Sequence, residues 1–126
     1  MDFQRGDIVK EKVGTVSMTA TGTYDVPFPH GTPIDRVPCK WFAGTKLQSE
    51  NFRVKDLELV QRRTAPVPDH FRSPVKLASG GPNMEVTYDG PRDFDHGGRI
   101  RIVRCEWKAG RSTEKHDFAP ELLVSA

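Results

Sequence analysis

An all-β protein built from two small SH3-like barrels in tandem is what the sequence predicts, and three observations predict it. Sliding the 126-residue chain against itself by 66 places sets residues 1–60 opposite 67–126 without a gap, and sixteen of those sixty pairs are identical. Chance would supply only about four, since unrelated residues coincide roughly once in seventeen. Apolar side chains recur at every second position, the period of strands, and no segment offers three turns of capped helical periodicity. Finally, 11 glycines and 10 prolines cut the chain into short runs, the punctuation of turns rather than of long elements.

Taken in order, each repeat reads as five short strands. Residues 7–10 and their counterparts 74–77 form first strands, closed by turns at Val13-Gly14 and at Ser79-Gly80-Gly81-Pro82. Residues 18–21 and 84–87 alternate apolar with polar, as a half-buried second strand does. A loop follows at 25–33, matched by 91–98, whose proline and glycine content argues against regular structure. In the third strand Val37, Cys39 and Trp41 share one face, as do Val103, Cys105 and Trp107, while Lys40, Arg104, Glu106 and Lys108 face water. Ala43-Gly44 and Ala109-Gly110 turn the chain into a fourth strand ending at Phe52 and Phe118, and a short bend leads to a last strand carrying Leu57 or Leu123. The predicted core is therefore Val37, Cys39, Trp41 and Phe52 in one repeat and Val103, Cys105, Trp107 and Phe118 in the other.

The boundaries that follow are a first repeat at 1–60, a linker at 61–68 and a second repeat at 69–126. A unit of about 60 residues is marginal alone, so the halves are expected to pack together as a pseudo-dimer. Two prolines stiffen the linker and Arg62 and Arg63 keep it wet. These two arginines also hold the whole excess charge: repeat 1 carries 8 basic and 8 acidic residues and repeat 2 carries 9 and 9, leaving the chain at +2.

Gly6-Asp7-Ile8-Val9, and above all Cys39-Lys40-Trp41-Phe42-Ala43-Gly44-Thr45-Lys46-Leu47 running on to Phe52, resemble the small uncharacterised YodC-like family. The second repeat contributes Ser79-Gly80-Gly81-Pro82-Asn83-Met84 and Cys105-Glu106-Trp107, and departs from the pattern at Lys108 and at Arg111-Ser112-Thr113. The resemblance implies a compact β fold repeated in tandem. It brings no catalytic residues, and its phage and mobile-element associations suggest an inhibitor of a host system as one form the function takes.

The residues themselves point away from an enzyme. Cys39 and Cys105 alternate with tryptophans on inner strand faces, where a thiol is an inert small hydrophobe. With His30 and His96 they match a tetrahedral zinc site in number but in no ligand spacing, so neither metal nor cofactor is expected. No acidic pair recurs in both repeats and no phosphate-binding glycine loop is present. No apolar run is long enough to span a bilayer and the N-terminal residues carry no secretory pattern, so a cytoplasmic, membrane-free protein is expected.

What remains is binding. Phe28, His30, Phe94 and His96 lie in the duplicated Phe-x-His-Gly loops, and with Phe42 they are the candidate partner-binding residues. Phe28 and Phe94 either plug the barrel ends or stand out as anchors for another protein. A nucleic-acid partner is the alternative, with Arg62 and Arg63 of the linker and Arg92, Arg99, Arg101, Arg104 and Arg111 of the second repeat as contacts. Arginines so placed also serve as solvated edge residues that discourage sheet aggregation. The oligomeric state is left open.

Overall fold

The computed structural model describes residues 3–21, 36–93 and 97–126. Among the described residues, ten strands and two short 3-10 helices follow one another. Repeat 1 contains β1 (Ile8–Glu11), β2 (Met18–Ala20), β3 (Arg36–Ala43), β4 (Lys46–Arg53) and β5 (Leu57–Gln61), with the 3-10 helix Val54–Asp56 before the last strand. Repeat 2 contains β6 (Val75–Leu77), β7 (Glu85–Asp93), β8 (Arg99–Ala109), β9 (Ser112–Phe118) and β10 (Leu123–Ser125), with Pro120–Leu122 as its 3-10 helix. The expected all-β class holds, with five strands per repeat and the expected bend before each fifth strand. Among the described residues no helix is long and apolar enough to cross a membrane.

The duplication extends to the register. Val37 faces Phe52 and Cys39 faces Glu50 across β3 and β4; 66 positions later Val103 faces Phe118 and Cys105 faces His116 across β8 and β9. Glu11 pairs with Leu57 as Leu77 pairs with Leu123, and Val9 meets Met18 as Val75 meets Met84. Gly44 (φ 66°) and Gly110 (φ 64°) make the same tight turn between the third and fourth strands of each repeat, a conformation that glycine adopts without strain.

The strand order in repeat 1 is β4-β3-β2-β1-β5. In repeat 2 the three-stranded sheet β7-β8-β9 and the pair β10-β6 are joined only by the Val75–Met84 bridge, which reproduces that order. The sheets are open, and among the described residues strand pairing does not close them into barrels.

Each repeat has its own core. Val9, Met18, Ala20, Val37, Cys39 and Leu57 form the first, with Trp41 and Phe52 partly buried against it. The second is larger: Val103, Cys105, Trp107 and Phe118 are buried with Met84, Leu77 and others, and Phe71 from beyond the linker joins them. All eight predicted core residues therefore lie in or against a core.

Three expectations are corrected. Residues 91–93, taken for irregular loop, belong to β7, which runs to Asp93 and pairs Pro91 with Arg101. A proline suits this position because β7 meets β6 only at the Met84 end, so at Pro91 its outer side lies at the sheet edge and needs no donor. The first-repeat loop at 25–33 lies outside the described residues. Lys40 does not face open water; it is half-buried, and burial lowers its pKa. The linker arginines are more than solvated spacers, although Arg62 keeps 41% of its side chain exposed. Arg62 approaches the fully buried Asp7 carboxylate at 3.5 Å, and Arg63 donates to the carbonyls of Glu121 (2.9 Å) and Leu123 (2.6 Å) in repeat 2.

Candidate functional site

Period-2 alternation puts Cys39 and Cys105 on the inner faces of β3 and β8, so both are fully buried and free. Each thiol lies near the carbonyl two residues before it, Val37 at 3.6 Å and Val103 at 3.9 Å. Burial is the main cause that pushes both thiols up to about 12, and a protonated, enclosed sulfur is neither a nucleophile nor a ready metal ligand. The two cysteines belong to different cores, so they do not face one another across the halves. Among the described residues no three histidine, cysteine or carboxylate side chains gather as a metal site would require.

The sheet β7-β8-β9 carries a ladder of opposite charges on both faces, with Asp89 and Arg101 on the side of Val103 and Arg104 and Asp117 on the other. Because β8 pairs with β7 on one side and β9 on the other, its arginines reach carboxylates on both neighbours. Arg101 forks onto Asp89 with two 2.8 Å bonds, and the same carboxylate accepts from the Phe71 amide at 2.8 Å. The Arg101 bond is the largest of the influences that hold the Asp89 carboxyl below its usual range. On the other side Arg104 binds Asp117 at 2.8 and 3.2 Å, and Arg92 reaches that carboxylate at 3.0 Å. Arg99 pairs with Asp93 at 2.8 Å near the hairpin tip. On the face of Arg92, Arg104 and Asp117 stand two exposed apolar residues, Tyr88 and Ile100, each 41% accessible.

Six of the seven arginines read as nucleic-acid contacts are thus already bound to a carboxylate or a carbonyl: Arg62 and Arg63 in the linker, and Arg92, Arg99, Arg101 and Arg104 on the ladder. Arg111 is exposed on the β8–β9 turn. Alternating partners of this kind were concealed in the sequence because Asp89 and Asp117 lie 12 and 13 residues from the arginines they bind. Only the strand register brings them together.

Phe28, His30, Phe94 and His96 lie outside the described residues. Phe42, read as a partner anchor, is turned inward on the chain itself. Its ring meets the Trp107 indole edge-on, with centroids 5.2 Å apart and planes at 87°, and with Leu47 it packs against the second core. Trp107 also donates its indole N–H to the Thr45 carbonyl at 2.8 Å. Gly81 is what allows the ring so close: a Cβ there would stand 2.8 Å from the Phe42 Cγ, and its φ of +132° excludes other residues without strain. Thr19 and Ser79 complete the contact through hydroxyls 2.7 Å apart.

A family model described as an uncharacterised small protein (DUF2158) matches the chain twice, over residues 4–57 and 74–123. The two matches bear out the tandem duplication of a small uncharacterised domain read from the motifs. No curated protein and no solved structure matches the chain.

Proposed function

Since the chain belongs twice over to the DUF2158 family of uncharacterised small proteins, a membership that assigns it no activity, we propose from its surfaces that it is a non-catalytic binding or adaptor protein whose partner is another protein. The charge ladder of repeat 2 carries this reading. On the outer face Arg92 and Arg104 share Asp117 in direct ion pairs, so that face offers mixed signs around exposed Tyr88 and Ile100. A surface with an apolar centre and a paired polar rim suits a protein, whereas a polyanion is held by unneutralised cations making several phosphate contacts. The buried, protonated thiols support a role without catalysis. An inhibitor of phage or mobile-element origin, acting in the cytoplasm, fits such a module.

We also infer that each repeat is a small SH3-like barrel in kind. The order β4-β3-β2-β1-β5, with a 3-10 helix before the fifth strand, supports it. Affinity capture with wild-type and Ile100→Asp baits tests the binding role. The expected result is one protein recovered by the wild type and lost with Ile100→Asp at an unchanged melting temperature. Recovery of nucleic acid instead, with binding that collapses between about 50 and 200 mM salt, would establish the nucleic-acid alternative.

A further inference from the structure

The two repeats share a fold, yet they touch in one direction only. Phe42 and Thr45 at the β3–β4 hairpin of repeat 1 lie on Trp107 and Gly81 of repeat 2. At the offset of 66, a reciprocal contact would bring Lys108 and Arg111 onto Trp41 and Thr15. It is not formed. Lys108 is exposed and donates to Thr113 of its own hairpin at 2.8 Å, and Val13, the counterpart of Ser79, is 96% accessible. A contact between two different surfaces of like units is heterologous; it does not close as a twofold does, and repeated it makes a chain.

At that contact the repeats differ in a complementary way. Repeat 1 keeps the inserting side, Phe42, Thr45 and Leu47, where repeat 2 has Lys108, Arg111 and Thr113. Repeat 2 keeps the receiving side, Ser79 and Gly81, where repeat 1 has Val13 and Thr15. Thr15 carries the Cβ for which the Phe42 ring leaves no room at Gly81. Lys108 would take a charged ammonium into an apolar contact, which costs far more than the contact returns. Each repeat therefore lacks the half of the interface that the tandem leaves unused.

We propose that the Trp107–Gly81 face is a docking site for the phenylalanine-bearing β-hairpin of a domain of this same fold, that repeat 1 fills it within the chain, and that Thr15 and Lys108 block further docking at the two ends. The wild-type chain pairs off once, and a second copy of this chain becomes an occupant only when both blocks are removed. The inference does not rest on the binding role proposed above.

The test is the full-length variant Thr15→Gly, Lys108→Phe, Arg111→Thr, Thr113→Leu, with its mass followed by light scattering as concentration rises. The variant is expected to grow into oligomers, while the wild type, Thr15→Gly alone and Lys108→Phe alone stay monomeric. A monomeric, folded four-site variant would overturn the proposal, and so would equal aggregation of the single-site variants. Should the four-site variant fail to fold, a protease site placed between Pro66 and Pro68 of the full chain decides the matter. After cleavage the halves should co-elute in the wild type and separate with Phe42→Asp or Gly81→Val; halves that stay together in both variants refute the docking site.

Discussion

Cys39 and Cys105 hold equivalent places, and burial gives both the same chemistry. With their pKa values near 12, only about one thiol in ten thousand is ionised at pH 8. Both should therefore resist Ellman's reagent in the native protein and react together on denaturation; rapid native reaction of either would contradict its burial. His116 behaves differently, since burial and then the Lys40 ammonium lower its pKa below the ordinary 6.5. The folded state thus prefers the neutral imidazole. Its contribution is complete above 6.5 and is lost as the pH falls toward the lowered value, because the unfolded chain takes up the proton first. The urea midpoint should drop between pH 7.5 and 5.5, and by less in Lys40→Met. At this scale the strand alternation was legible: Val37-x-Cys39-x-Trp41 names its own inner face, because side chains on a strand alternate whatever it pairs with. The inward turn of Phe42 was not, because it sits in the opposite phase and meets its partner, Trp107, 65 residues later in the chain.

Among the elements, the hairpin of β7 and β8 is held by its ladder as well as by its backbone. Asp89, only 6% accessible, binds both nitrogens of the Arg101 fork and the Phe71 amide. Asp89→Asn should destabilise the protein by about 2 kcal/mol, the scale of lost charge-assisted bonds at a partly buried site. The depressed carboxyl gives the sign in acid: its contribution is present above the ordinary 3.8 and is lost as the pH falls through the lower folded value. Acid unfolding followed by circular dichroism should accordingly begin at higher pH in Asp89→Asn. The length of β7 escaped the sequence because Pro91 looks like a terminator. On an edge strand it is tolerated, and edge position is a property of the sheet rather than of the segment.

For the whole molecule, the halves are joined by the Phe42–Trp107 contact and by Arg63, whose guanidinium reaches the Glu121 and Leu123 carbonyls. Phe42→Ala should cost about 1–2 kcal/mol, less than a fully buried ring because Phe42 is half-exposed. Arg63→Ala should weaken the same seam from its other end, and Arg63→Lys should restore it only in part, since one ammonium does not reproduce Nη1 on the Glu121 and Leu123 carbonyls together with Nε and Nη2 on those of Ala65 and Pro66. Calorimetry is the measurement: one transition in the wild type, and in Arg63→Ala a lower or divided one as the cores unfold apart. Two small units are expected to support each other, but among the described residues the core support runs one way. Repeat 1 lends Phe42 and Leu47 to the core of repeat 2.

The sequence by itself determined the duplication, the order of five strands in each repeat, the inner faces and the bend before each fifth strand. All of these depend on local period and turn chemistry, which a chain carries wherever it folds. Only the tertiary structure decided that Arg63 ties the linker to repeat 2, that Arg92 and Arg104 share Asp117 while Arg99 and Arg101 bind Asp93 and Asp89, and that Phe42 faces inward. Those outcomes depend on distances between residues far apart in the chain, set by sheet register and by the one-way packing of two unequal copies.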